Sequence, residues 1–92
     1  MTPKRAEQIA ILALTWLASN QELLPVFLGA SGAMAEDIRG QAENPAFLAS
    51  VLDFLTMDDA WVMAFCDENT IKYEEPLMAR YSLTGAEAVH WT

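Results

Sequence analysis

The sequence predicts an all-α fold, a compact bundle of five to six short helices in a single domain. Three observations predict it. Apolar residues recur three and four positions apart along most of the chain, the spacing of one helix face. Capping residues and prolines stand where helices would begin, at Thr2-Pro3, Asn44-Pro45 and Asp58. No run shows the strict alternation of a half-buried strand. The 92 residues fit one domain. Its expected extent is 1–85, with a C-terminal tail over 86–92 that holds His90 and Trp91.

The elements follow in order. Thr2 caps the first helix, and Pro3 occupies a first-turn position where its missing N–H costs nothing. Ala6, Ile9, Ala10, Ala13, Trp16 and Leu17 form a stripe, which Ile11, Leu14 and Ala18 widen to a second face, so this helix is expected to be central. Asn20 opens the second helix, whose apolar side is Leu23, Leu24, Phe27 and Leu28; Gly29 and Gly32 are expected to end it. A short third helix covers Met34 to Gln41, anchored by Ile38, although Gly40 lowers its propensity.

Asn44-Pro45 starts the fourth helix, with Phe47, Leu48, Val51, Leu52, Phe54 and Leu55 at helical spacing. Asp58 caps the fifth, and Asp59 complements the positive end of its dipole. The run from Ala60 to Cys66 is apolar on every side, which predicts a helix buried all round or an interface. Asn69 is the expected left-handed stop. The sixth helix runs from about Tyr73 to Leu83, with Leu77, Met78 and Tyr81 turned inward and Gly85 at its end. The fourth and fifth helices, Asn44 to Phe65, are expected at the centre of the core.

Charge narrows the function. Thirteen Asp and Glu oppose five Lys and Arg, a net charge of −8. Nucleic-acid binding needs cations that neutralise phosphates, so this balance argues against DNA and RNA, and the same repulsion argues against anionic membranes. Between Arg39 and Lys72 there is no basic residue, and the interval carries Glu43, Asp53, Asp58, Asp59, Asp67 and Glu68. This is either a solvated acidic face or a surface that meets a basic partner. Hydrophobic residues make up 53% of the chain, against roughly 45–50% in typical domains. That excess allows a homodimer or an apolar partner groove.

Cys66 is the single cysteine, so the chain has no internal disulfide, which suits a reducing cytoplasm. Within its apolar run it reads as a small buried hydrophobe rather than a nucleophile. Lys4 and Arg5 before the apolar stretch from Ile9 to Ala18 superficially resemble a secretory leader. Glu7 and Gln8 interrupt that pattern, and removal of the segment would delete a core helix. The stretch is also too short to span a bilayer, which takes about 20 residues.

No phosphate loop, paired-histidine metal motif, nucleophile elbow or calcium loop is present, so no catalytic residue, metal ligand or cofactor is assigned. Asp58-Asp59 could hold a hard cation, but capping explains the pair more simply. Glu36-Asp37 and Glu74-Glu75 complement helix starts. Asp67-Glu68 differs, because it stands at a helix end where the dipole disfavours negative charge. Most aromatic residues sit at core spacing. Trp61 stands apart, beside Asp58-Asp59 at a helix start, where a tryptophan can anchor a binding groove. The partner-binding candidates are therefore Asp58, Asp59 and Trp61, with Asp67 and Glu68 as a rim. The competing reading makes Trp61 core and the acids caps.

The segment Phe47-Leu-Ala-Ser-Val-Leu-Asp-Phe-Leu55, followed by Asp58-Asp59-Ala60 and Ala64-Phe65-Cys66, resembles a small uncharacterised alphaproteobacterial family, a helical domain of unknown function. Ala13-Leu-Thr-Trp-Leu17, Glu22-Leu-Leu24 and Phe27-Leu28 are similar too, so the resemblance extends to about Gly85. Its most specific piece is Val51-Leu-Asp-Phe-Leu55 with the acidic turn after it. Asn20-Gln21 and Ile71-Lys-Tyr73 replace the Asp-Pro and Leu-Pro-Pro common in relatives, which softens two helix starts. The resemblance implies no activity, cofactor or catalytic residue. It associates such proteins with a neighbouring single-domain response regulator, so a signalling component is among the partners it implies. The residues themselves favour a non-catalytic interaction or adaptor domain. The alternatives are a small-ligand or enzymatic domain, with a pocket near Cys66 or Asp53, and a purely structural homodimer.

Overall fold

The computed structural model describes residues 1–84, which form α1 (Pro3–Ala18), α2 (Leu23–Ser31), α3 (Asp37–Gln41), α4 (Pro45–Leu55), α5 (Asp59–Asn69) and α6 (Glu75–Thr84). No strand occurs among the described residues, and the all-α expectation holds. Gly85 and the tail with His90 and Trp91 lie outside the described residues.

The caps form as their chemistry dictates. Thr2 Oγ1 accepts from Arg5 N at 3.2 Å, Asn44 Oδ1 from Ala46 N at 2.9 Å, and Asp58 Oδ1 from Ala60 N at 2.8 Å. Each satisfies a donor that the first helical turn leaves without an intrahelical partner. Asn20 Oδ1 accepts from both Glu22 N and Leu23 N, so it does initiate α2. Gly29 does not end that helix, which continues to Ser31 and closes on left-handed Gly32 at φ 77°. The third helix is shorter than its pattern, starting at Asp37 rather than Met34. Thr70, not Asn69, takes the left-handed position after α5, at φ 55°.

The core sits among α1, α4 and α6, which contact one another most extensively. That corrects the expectation that α4 and α5 form its centre. The first helix buries Ala6, Ile9, Ala10, Ala13, Leu14 and Leu17, while Ile11 and Ala18 face outward. Phe27 enters from α2, and α4 buries Leu48, Val51, Leu52, Phe54 and Leu55. The sixth helix is rotated relative to expectation. Pro76 and Ala79 point inward with Leu83 partly covered, whereas Leu77, Met78 and Tyr81 are more than 40% exposed. Axial separation of packed helices depends on the side chains at the contact. Ala6, Ala10 and Ala13 on α1, with Pro76 and Ala79 on α6, allow a close approach that larger residues would prevent.

The fifth helix is not buried all round. Only Val62, Phe65 and Cys66 are buried, and they face the core. No polar or charged residue is buried among the described ones.

Candidate functional site

The expected partner-binding residues all lie on or just before α5, so its surroundings define the site. At its start, Asp58 is a half-buried cap, and its carbonyl also accepts from Trp61 N and Val62 N at 3.1 Å. Asp59 is exposed in the first turn, where its charge suits the dipole. The Trp61 ring is half-buried and stacked on Phe54, centroids 4.9 Å apart and planes 24° apart. It continues a line of rings that begins at Phe47 and passes through Phe27 and Phe54, each pair edge to face. Trp61 is thus packed against the core and only partly open to solvent.

Asp67 and Glu68 sit at the other end. Asp67 stands nine positions after Asp58, about 14 Å along the helix at ~1.5 Å per residue. The two groups are therefore separate clusters rather than one rim. Each C-terminal acid accepts a hydrogen bond from an aromatic donor. The Tyr73 hydroxyl donates to Asp67 Oδ1 at 2.7 Å, and the Trp16 indole Nε1 donates to Glu68 Oε2 at 2.6 Å. These bonds give a physical reason for negative charge where the helix dipole opposes it. Trp16 and Tyr73 escaped the sequence reading. Their signal was present: a tryptophan N–H and a tyrosine O–H near the surface of a small fold seek acceptors.

Between the ends runs an outer face that the sequence reading also missed. Ala60, Met63, Ala64 and Asp67 are exposed at helical spacing, and Met57 precedes them. Met63 is 47% exposed and Met57 75%. None of Asp58, Asp59, Asp67 or Glu68 forms a salt bridge with a described base. The salt bridges among the described residues lie elsewhere: Arg5 with Glu75 at 3.5 Å, and Arg80 with Asp53.

Cys66 is 1% exposed, and its thiol donates to the Lys72 carbonyl at 3.5 Å. Burial first, then the charges of Asp67, Glu75 and Glu74, push its pKa from 9.0 up to about 11. The hydrogen bond to Asp67 raises that of Tyr73. Both groups hold their protons near neutrality, so neither is a ready nucleophile or base.

Among the described residues, four depressions bear on the site. One of about 410 Å³ lies at the starts of α1 and α6, lined by Arg5, Lys72, Glu74 and Glu75 among others. A second, about 620 Å³, touches Leu24, Ala35 and Ile38. Two more, about 340 and 210 Å³, flank the Trp16–Glu68 pair. None of the four is lined by Cys66 or Asp53. No group of three or more metal-ligating side chains is gathered among the described residues. No single described helix is long and apolar enough to cross a membrane; α1 and α2 together reach that length only across a 118° bend.

Fold and surface together define a small all-α domain with four acids, none in an ion pair with a described base, on or just before one partly apolar helix. A family model described as a protein of unknown function matches residues 3–86, and the chain belongs to this DUF3572 family. No curated protein and no solved structure matches it.

Proposed function

We propose that the chain is a non-catalytic interaction or adaptor domain that engages a basic protein through the outer face of α5. One observation carries the reading. Met63 and Met57 are exposed on or beside a helix whose four acids, Asp58, Asp59, Asp67 and Glu68, have no ion pair with a described base. An apolar contact supplies contact area, and like-signed charge around it steers an oppositely charged surface. The exposed methionines replace Trp61 as the main apolar contact, since Trp61 is stacked on Phe54. Trp61, at the edge of this face, remains within reach of a partner.

A small-ligand or enzymatic domain would need a closed pocket with convergent polar groups. Cys66 is instead enclosed in the core, and Asp53 is paired at the surface. A single buried cysteine fits a reducing bacterial cytoplasm, where a signalling component is one candidate for the basic partner. The test is affinity capture from native cell extract with mass spectrometry, run in parallel on wild type, Met63→Ala and the double variant Asp59→Asn with Asp67→Asn. A protein captured by wild type and lost with either variant, and in raised salt, supports the reading. Identical capture by all three overturns it.

A further inference from the structure

We propose that the depression between the ends of α1 and α5 and the start of α2 receives a cationic side chain, guanidinium or ammonium, from a protein partner. This rests on the reading of α5 as a docking element and adds the chemistry of what arrives at its C-terminal end. The depression has a volume of about 340 Å³ and is lined by Trp16, Ser19, Asn20, Gln21, Glu22 and Glu68. Pockets that enclose a whole small molecule begin at roughly 300 Å³, so an open one of this size suits the end of a side chain.

Several independent features there favour positive charge. The Trp16 indole is held in place by its bond to Glu68 and by an edge-to-face contact with Phe65 at 6.1 Å. A cation above an indole is attracted by the ring quadrupole, and the indole is the best of the aromatic faces for this. Glu68 comes from α5 and Glu22 from the start of α2, two elements brought together only by the fold. The Glu22 carboxylate has no hydrogen bond or ion pair to a described residue, and Glu68 uses one oxygen, on the indole.

The backbone adds to the same field. Trp16 lies in the last turn of α1 and Glu68 in the last turn of α5, so two negative helix ends meet here with the one positive start of α2, where Asn20 Oδ1 already accepts from the Glu22 and Leu23 N–H groups. Neither last turn contains a basic residue, and no described base lines the depression. The adjoining depression of about 210 Å³ shares Trp16, Ser19 and Glu68 and adds Leu12, Thr15 and Asn69. Its exposed Leu12 offers an apolar surface for the methylene stem of an arginine or lysine, whose head would lie on the indole and carboxylates.

The experiment titrates the full ¹⁵N-labelled chain with a capped Gly-Arg-Gly peptide and, in parallel, with its neutral citrulline analogue. The Trp16→Phe variant assigns the Trp16 indole signal. The arginine peptide should give saturable shifts at that indole and at the amides of Asn20, Glu22 and Glu68; the citrulline peptide should not. Glu68→Gln retains an acceptor for the indole and removes only charge, so it should weaken binding roughly tenfold with the fold intact. Equal shifts from both peptides, or no saturable shift at these positions, overturn the pocket. Shifts confined to Asp59 and Met63 also overturn it, yet they leave the docking reading of α5 standing. That reading fails separately, by the capture comparison.

Discussion

Cys66 and Tyr73 give the individual residues a readable dependence on pH. The folded state holds the Cys66 proton more tightly than the unfolded chain does, since burial and nearby acids raise its pKa from 9.0 to about 11. The resulting stabilisation is complete below pH 9 and is lost as pH rises toward 11. Tyr73, raised by its bond to Asp67, adds a loss of the same sign in the alkaline range. Thermal melts of Tyr73→Phe should therefore still decline between pH 9 and pH 11, and adding Cys66→Ala should flatten that decline while lowering the melting temperature throughout. An unchanged slope in the double variant would show that other groups set it. Asp58 and Asp59 separate by role in the same way. Asp58→Ala removes a cap and should cost about 1 kcal/mol in urea unfolding, whereas Asp59→Asn should cost a few tenths. Asp59 is thus the cleaner probe of binding, because loss of Asp58 mixes affinity with stability.

At the scale of the helices, size matters as much as polarity. On α6 the large residues Leu77, Met78 and Tyr81 are exposed, while the smaller Pro76 and Ala79 are buried. Leu77→Ser should be nearly neutral, while Ala79→Leu should destabilise by roughly 1–3 kcal/mol by overpacking. Equal effects of the two in denaturant melts would contradict the observed rotation. The same logic applies to α5. Met63→Ala should leave stability almost unchanged, whereas Trp61→Ala should cost about 1–3 kcal/mol through lost stacking on Phe54. The caps and the α1 and α4 stripes were legible in the sequence because they depend on neighbours within one turn. The phase of α6 was not, because Leu77, Met78 and Tyr81 outweigh Pro76 and Ala79 in any reading by hydrophobicity. Closeness of helix approach is a property of two elements and has no trace in one. The site was half legible for the same reason. The local sequence marks Asp58, Asp59, Asp67 and Glu68 as an unneutralised set. It does not mark the pairing of Glu68 with Trp16, which is 52 residues away in sequence.

For the whole molecule, the net charge of −8 governs how copies meet. One argument for self-association weakens, since Val62, Phe65 and Cys66 turn inward. What remains is the exposed apolar surface, to which Val26, Met34, Met57, Met63, Leu77 and Tyr81 all contribute. Two acidic copies repel across any contact they make, and salt screens that repulsion. Light scattering at low ionic strength should give the monomer mass, with any dimer appearing only as salt is raised. A dimer that is firm at low salt and dissolves at high salt would contradict this balance. Binding to a basic partner should show the opposite trend, so a salt series distinguishes the two kinds of association in one preparation.

The connector between α5 and α6 turns on Thr70, a β-branched residue at φ 55°. Left-handed backbone costs a residue with a Cβ about 1–2 kcal/mol, and a branched side chain fits it worst. The turn is kept by the Ile71 N–H, which donates to the Cys66 carbonyl at 3.0 Å, and by the burial of Ile71. The chain therefore leaves a margin of thermal resistance unused at one surface position. Thr70→Gly should recover about 1 kcal/mol without touching α5's outer face or the Trp16 depression. That makes it a sturdier background in which damaging variants of the binding surface could still fold and be measured.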